Sequence, residues 1–116
     1  MAVILIVDDE PMFREVIAAH LSNEGYETTT AQNGLEAVDR FHAVTVDAIV
    51  TDIQMPELDG ISFIQQLRSA GHTVPVIVMT AARDIRASDL SHLNVHALLS
   101  KPFHLSDLSS LIRQLK

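Results

Sequence analysis

The chain has 116 residues, 47% of them hydrophobic and 20% charged, which allows one domain with one real core and excludes a disordered chain. A net charge of −7 and a pI near 5.1 argue against nucleic acid as a direct partner. There is no cysteine, so disulfides, thiolate metal sites and thiol nucleophiles are excluded.

Met1–Val7 begins apolar but lacks a basic flank and runs straight into Asp8-Asp9, unlike a targeting segment. No apolar run approaches the length of a membrane span. A soluble, cytoplasmic protein with no membrane partner is the expectation. Val3–Val7 is continuously apolar, as a central parallel strand covered on both faces would be. Asp8-Asp9-Glu10-Pro11 then leads into Phe13, Val16, Ile17, His20 and Leu21 at helical spacing, stopped by Gly25. Tyr26–Ala31 is a Thr-rich, more exposed strand closed by Asn33-Gly34, and Leu35, Val38 and Phe41 mark a second amphipathic helix.

Asp47–Gly60 is the centre of the sequence. Ala48, Ile49, Val50 and Thr51 form a buried strand too short for a helix, and the strand ends on the carboxylate of Asp52. Turn formers follow, Pro56 and then Asp59-Gly60. A third helix is expected from about Gly60 to Ser69, with Ile61, Ile64 and Leu67 inward. Val74–Thr80 is a fourth strand, with Pro75 tolerable near its start. A polar helix from about Asp84 to Leu93, a short strand at Ala97–Leu99 and a last helix carrying Leu105, Leu108, Leu111, Ile112 and Leu115 complete the chain.

Strands alternating with helices at even spacing predict a parallel sheet with right-handed crossovers, an α/β fold. The doubly wound order 2-1-3-4-5 is the natural choice, with ligands at the carboxyl edge. No linker or low-complexity segment divides the sequence, so residues 1–116 are expected to form a single domain.

In that topology, successive strand ends deliver Asp8 and Asp9, Asp52, Thr80 and Lys101 to one edge. Three carboxylates in one crevice repel one another and raise each other's pKa unless a cation sits among them. Oxygen donors without His or Cys suit a hard ion, Mg²⁺ or Mn²⁺. A carboxylate flanked by such an ion, a lysine and a hydroxyl is equipped for phosphoryl transfer, with an aspartyl phosphate as product. Ala81, beside Thr80, is small enough to admit a bulky donor. The six histidines (His20, His42, His72, His92, His96 and His104) show no ligand spacing and fit surface or interfacial roles.

These residues carry a resemblance. Asp8-Asp9, Asp52-Ile-Gln-Met-Pro-Glu-Leu-Asp-Gly60, Thr80-Ala81 and Lys101-Pro102-Phe103 make the sequence similar to the receiver domain of two-component response regulators, across the whole chain. The resemblance implies a flavodoxin-like three-layer α/β/α fold and phosphoryl acceptance by Asp52 from a sensor histidine kinase or histidine phosphotransfer protein. It implies direct Mg²⁺ ligation by Asp9, Asp52 and the Gln54 backbone carbonyl, with Asp8 acting through water. Lys101 would bind the phosphoryl oxygen, Thr80 would move to it as the switch, and Lys101-Pro102 would be cis. Gln54 and Ala82 would flank the path of attacking water. The output would pass to a downstream protein, and the module would be a signalling phosphoacceptor rather than a turnover enzyme.

Two departures from the family pattern stand out. Leu98 occupies the position where receivers usually carry an aromatic switch residue, which implies a weaker or altered switch. Asn94-Val95-His96 replaces the usual Gly-Ala pair, and the spacing from Thr80 to Lys101 is about one residue short. Rival readings fit less well. A haloacid-dehalogenase-type phosphatase needs a second Asp where Gln54 stands. A flavodoxin would find its flavin phosphate repelled by Asp8-Asp9. A pseudo-receiver that works without phosphorylation would not require all five chemical residues.

Overall fold

Five parallel strands in the order β2-β1-β3-β4-β5 form the centre of the protein. The structure is a computed structural model and describes residues 2–53, 59–81 and 87–115. β1 (Val3–Val7) is buried from Ile4 onward, and β3 (Ala48–Asp52) and β4 (Val76–Thr80) are buried throughout. Both faces of these strands are covered, so they run apolar without alternation. β2 (Glu27–Ala31) and β5 (Ala97–Ser100) are the edges and are only partly buried. Register aligns the strand ends: Val7 pairs with Thr51, Asp52 with Met79, and Thr80 with Ser100.

Four α-helices and one 3-10 helix join the strands among the described residues. α1 (Pro11–Asn23) opens with a proline at its first position, where the missing N–H has no partner to lose. α2 (Gly34–Ala43) is capped by Asn33, whose side chain accepts from the Glu36 amide, and α3 (Gly60–Ser69) by Asp59, which accepts from the Ser62 amide. α4 (Leu105–Arg113) carries a capping box between His104 and Asp107.

The sheet separates two apolar clusters. One gathers Leu5, Val7, Ile49 and Val78 with Phe63, Ile64 and Leu67 of α3. The other gathers Ile4, Ile6, Val50 and Met79 with Ile17 and Leu21 of α1 and Leu108 and Ile112 of α4. Each cluster draws on alternate residues of the same strands, as the two-residue period of a strand requires.

Some expectations are corrected. The second and fourth strands begin at Glu27 and Val76, one and two residues later than the pattern implied. Val16 and Leu35 are half exposed, although their spacing placed them on apolar faces. Periodicity marks a face, and these two lie at its margin. The polar helix expected from Asp84 is a 3-10 helix over Ala87–Leu93, and residues 84–86 lie outside the described residues. No helix among the described residues is long and apolar enough to cross a membrane.

Candidate functional site

Each site residue stands at a strand end or within two residues beyond it. Asp8 follows β1, its amide bonded to the Ala31 carbonyl at 3.2 Å. Its carboxylate is wholly buried. Oδ1 accepts from the Glu10 amide at 2.8 Å, and Oδ2 accepts from the Lys101 ammonium at 3.0 Å. The Asp8 carbonyl in turn accepts from the Arg14 guanidinium at 2.6 Å, which ties the loop to α1.

Asp52 ends β3 and is 7% exposed. Its Oδ1 accepts from the Ile53 amide at 2.7 Å and its Oδ2 from Lys101 at 3.0 Å. Lys101 thus bridges two carboxylates that belong to neighbouring strands. Asp9, next to Asp8, is exposed, yet one oxygen from each of Asp8, Asp9 and Asp52 lies within 4.8 Å of the others.

Thr80 ends β4 and is buried, and its carbonyl accepts from the Lys101 amide at 2.8 Å. That bond joins the β4 edge to the loop after β5 and so fixes the root of the Lys101 side chain. Ala81 follows and is exposed. The Lys101-Pro102 peptide is cis, as the resemblance implied. Gln54 and Ala82 lie outside the described residues.

Electrostatics bind the group together. Burial pushes the Asp52 carboxyl above the usual carboxylate range, the Asp8 charge adds to the rise, and Lys101 opposes it. Burial alone would lower the Lys101 pKa, but its bonds to Asp52 and Asp8 outweigh that and hold it above the ordinary lysine value. Repulsion between carboxylates, the expected cause of a raised value, is therefore secondary to desolvation at Asp52. A cluster of hard oxygen donors around a carboxyl disfavoured as an anion suits a small divalent cation.

Sequence reasoning did not assign roles to Phe13, Phe103 and Gly60. Phe13 of α1 presents its ring 4.5 Å from the Lys101 ammonium, and Phe103 meets that ring edge-on with centroids 5.8 Å apart. The only signal was position, one helical turn beyond Asp9. Gly60 donates its amide to the Ile53 carbonyl at 2.9 Å and lies directly against the Asp52 backbone. Leu98 pairs with Val78 in β5 and packs against the first apolar cluster.

The family model for the response regulator receiver domain matches residues 4–113. A response regulator MprA from Mycobacterium sp. (strain KMS) is 41% identical over 97% of this chain, and one from Mycobacterium avium (strain 104) is 40% identical over the same share. The chain spans about half the length of these curated relatives, 49% and 50%.

Among solved structures, the response regulator protein TrrA of Thermotoga maritima in complex with Mg(2+)-BeF is 35% identical, with a TM-score of 0.90 and full coverage of both chains. The signal receiver domain of a signal transduction histidine kinase from Syntrophus aciditrophicus is 32% identical, with a TM-score of 0.88 over 99% of this chain and 89% of that one. CheY4 of Vibrio cholerae is 27% identical, with a TM-score of 0.90 over 100% and 99%. With its strand order, its acidic strand-end cluster and these relatives, the chain belongs to the response regulator receiver domain family.

Proposed function

We propose that this domain is a phosphoacceptor switch in which Asp52 takes a phosphoryl group from the phosphohistidine of a sensor histidine kinase or phosphotransfer protein. The observation that carries the reading is the Lys101 ammonium shared between the buried carboxylates of Asp8 and Asp52 at 3.0 Å each. A carboxylate so held is already desolvated and already faces the positive charge a phosphoryl oxygen needs.

In the forward step an Asp52 oxygen attacks phosphorus and an O–P bond forms. The P–N bond of the donor breaks, and its electron pair returns to the imidazole, which picks up a proton. Lys101 trades its bond to the Asp52 oxygen for one to the phosphoryl group, and its bond to Asp8 keeps it from swinging away. The Thr80 hydroxyl is assigned as donor to the phosphoryl oxygen and as the moving part of the switch. Ala81, exposed and small, leaves the approach open.

Asp9 and Asp52 are the residues that would hold Mg²⁺ or Mn²⁺ directly, with the Gln54 carbonyl as the expected third donor and Asp8 acting through water; the ion's charge would oppose the build-up of negative charge on phosphorus. Attack of water on phosphorus later returns Asp52 and inorganic phosphate. The domain promotes its own phosphorylation and dephosphorylation and has no small-molecule turnover. Its output is a change in contacts with a downstream protein, and Leu98 in place of an aromatic residue makes that switch weaker or altered in form.

The test is intact mass after incubation with Mg²⁺ and acetyl phosphate, beside Asp52→Asn. One added phosphoryl group, absent in the variant and absent without Mg²⁺, is expected. If none appears, a beryllofluoride titration decides: binding means rapid hydrolysis of a real acyl phosphate, and no binding overturns the phosphoacceptor reading.

A further inference from the structure

We infer that Phe13 is a positioning residue for phosphoryl transfer, holding the Lys101 ammonium over the Asp8–Asp52 pair through the face of its ring. The inference rests on the phosphoacceptor reading for its consequence but not for its geometry. Lys101 has three N–H donors. Two are used by Asp8 and Asp52, and the Phe13 ring centroid lies 4.5 Å from the nitrogen, inside the range of a cation–π contact. The Lys101 side chain is 15% exposed, so little water competes for that face.

The ring is itself held. Phe103 meets it edge-on at 5.8 Å with the planes 74° apart, and both side chains pack against the α1–α4 cluster. Phe103 lies two residues beyond Lys101 on the same loop. The loop therefore carries both the ammonium and the aromatic edge that aims its support. A plain core role for Phe13 would need an apolar side chain of similar size, but not a π face turned to a cation.

The contact also suits the chemistry. A hydrogen bond to Asp52 must break when that oxygen is esterified, whereas a ring face imposes no single direction and lets the ammonium shift toward the phosphoryl group without losing contact. Leu at position 13 would leave Lys101 tethered to Asp8 alone at that moment.

The sequence contains two lysines, Lys101 and Lys116, so protein labelled with ¹³C-lysine gives two ε-methylene signals, told apart with Lys116→Arg. In wild type the Lys101 signal is expected upfield because of the Phe13 ring current, in Mg²⁺-free buffer and without phosphodonor. Phe13→Tyr should keep that shift and Phe13→Leu should abolish it. The maximal rate of Asp52 phosphorylation by acetyl phosphate at saturating Mg²⁺ should then fall roughly three- to tenfold in Phe13→Leu, with KM little changed and Phe13→Tyr near wild type.

Site-specific incorporation of a trifluorinated phenylalanine at position 13 keeps the shape and drains the ring face, so it decides the matter even if Phe13→Leu folds poorly. A slowed maximal rate supports the inference, and a wild-type rate overturns it. An ordinary chemical shift for Lys101 in wild type also overturns it. Failure of wild type to accept any phosphoryl group would sink the functional reading instead, and the lysine signal would still decide the geometry.

Discussion

A side chain at Gly60 would collide with the backbone carbonyl oxygen of Asp52, and its Cβ would also fall 3.0 Å from the Asp52 carbonyl carbon and the Ile53 Cα. The obstacle is backbone and not a flexible tip, so one chain must move. Gly60 starts α3, and its amide is bonded to Ile53, which anchors the helix on the end of β3 beside Asp52. Gly60→Ala should therefore cost about 1–3 kcal/mol, the usual penalty of overpacking. For a domain of this size that lowers Tm by roughly 5–20 °C. Because the displaced backbone carries Asp52, Mg²⁺ affinity should fall as well. Thermal melts and a Mg²⁺ titration check both, and an unchanged affinity would show that α3 alone gives way.

Burial raises the Asp52 pKa, with Asp8 adding to the rise and Lys101 opposing it. A group whose folded pKa lies above its unfolded value stabilises the fold only while protonated. Its contribution is fully present below the unfolded pKa and is lost as pH rises through the folded one. At neutral pH the ionised Asp52 therefore weakens the metal-free protein. Asp52→Asn is expected to raise Tm in chelator. Wild type should regain stability when Mg²⁺ is added, by about 2.7 kcal/mol at a hundred times Kd, and the variant should gain little. A lower Tm for Asp52→Asn in chelator would show that its ion pair with Lys101 outweighs burial.

Much of this was legible in the sequence for one physical reason: a buried parallel strand has no alternation, so its end is sharp. Val3–Val7 and the strand from Ala48 that ends on Asp52 were legible to the residue, and the carboxylates of Asp8 and Asp52 fall where those strands stop. Edges were less legible. The onset of β2 at Glu27 and the exposure of Val16 and Leu35 depend on what packs alongside, which a period does not encode. Contacts between distant segments were not legible at all. Phe13 is apolar at a helical position whether it faces Ile17 or a cation, and only the fold brings Lys101 over its ring.

Lys101 stabilises what it bridges. Its removal leaves the Asp8 carboxylate buried without a cation, and breaking such a pair costs about 3–5 kcal/mol. Lys101→Met should show that loss in metal-free buffer. The pH dependence follows from the raised lysine pKa: the stabilisation is present below 10.5, the ordinary value, and is lost as pH climbs through the higher folded one. On the alkaline side, the gap between wild type and variant should thus hold from neutral pH and close in strong alkali. Mg²⁺ should bind the variant at least as tightly as wild type, because a competing positive charge is gone. Phosphorylation should nonetheless slow by about 10²-fold, the typical effect of deleting one donor to a developing charge. Weaker Mg²⁺ binding in Lys101→Met would mean that the lysine organises the carboxylates rather than competing for them.

Arg68, far along the chain from the acidic cluster, has its own structural task at the end of α3. Nε donates to the Leu93 carbonyl at 2.8 Å, Nη1 to those of His72 and Val74 at 3.0 and 2.9 Å, and Nη2 to that of Asn94 at 3.2 Å. One guanidinium thus ties the α3–β4 turn to the junction between the 3-10 helix and β5, where Asn94 adopts a left-handed φ of 54°. Burial lowers the Arg68 pKa, yet arginine remains charged at any working pH. Arg68→Ala strands several carbonyls and should cost about 2–3 kcal/mol. Arg68→Lys should recover less than half, because an ammonium cannot match the planar fork. The loss should be nearly independent of salt, since the partners are carbonyl dipoles and not ions. Hydrogen exchange localises it: the His96 amide, bonded to Val76 at 2.8 Å, should exchange faster while the Ile53 amide beside Asp52 stays protected. Equal acceleration at both amides would mean that Arg68 supports the whole sheet and not this junction.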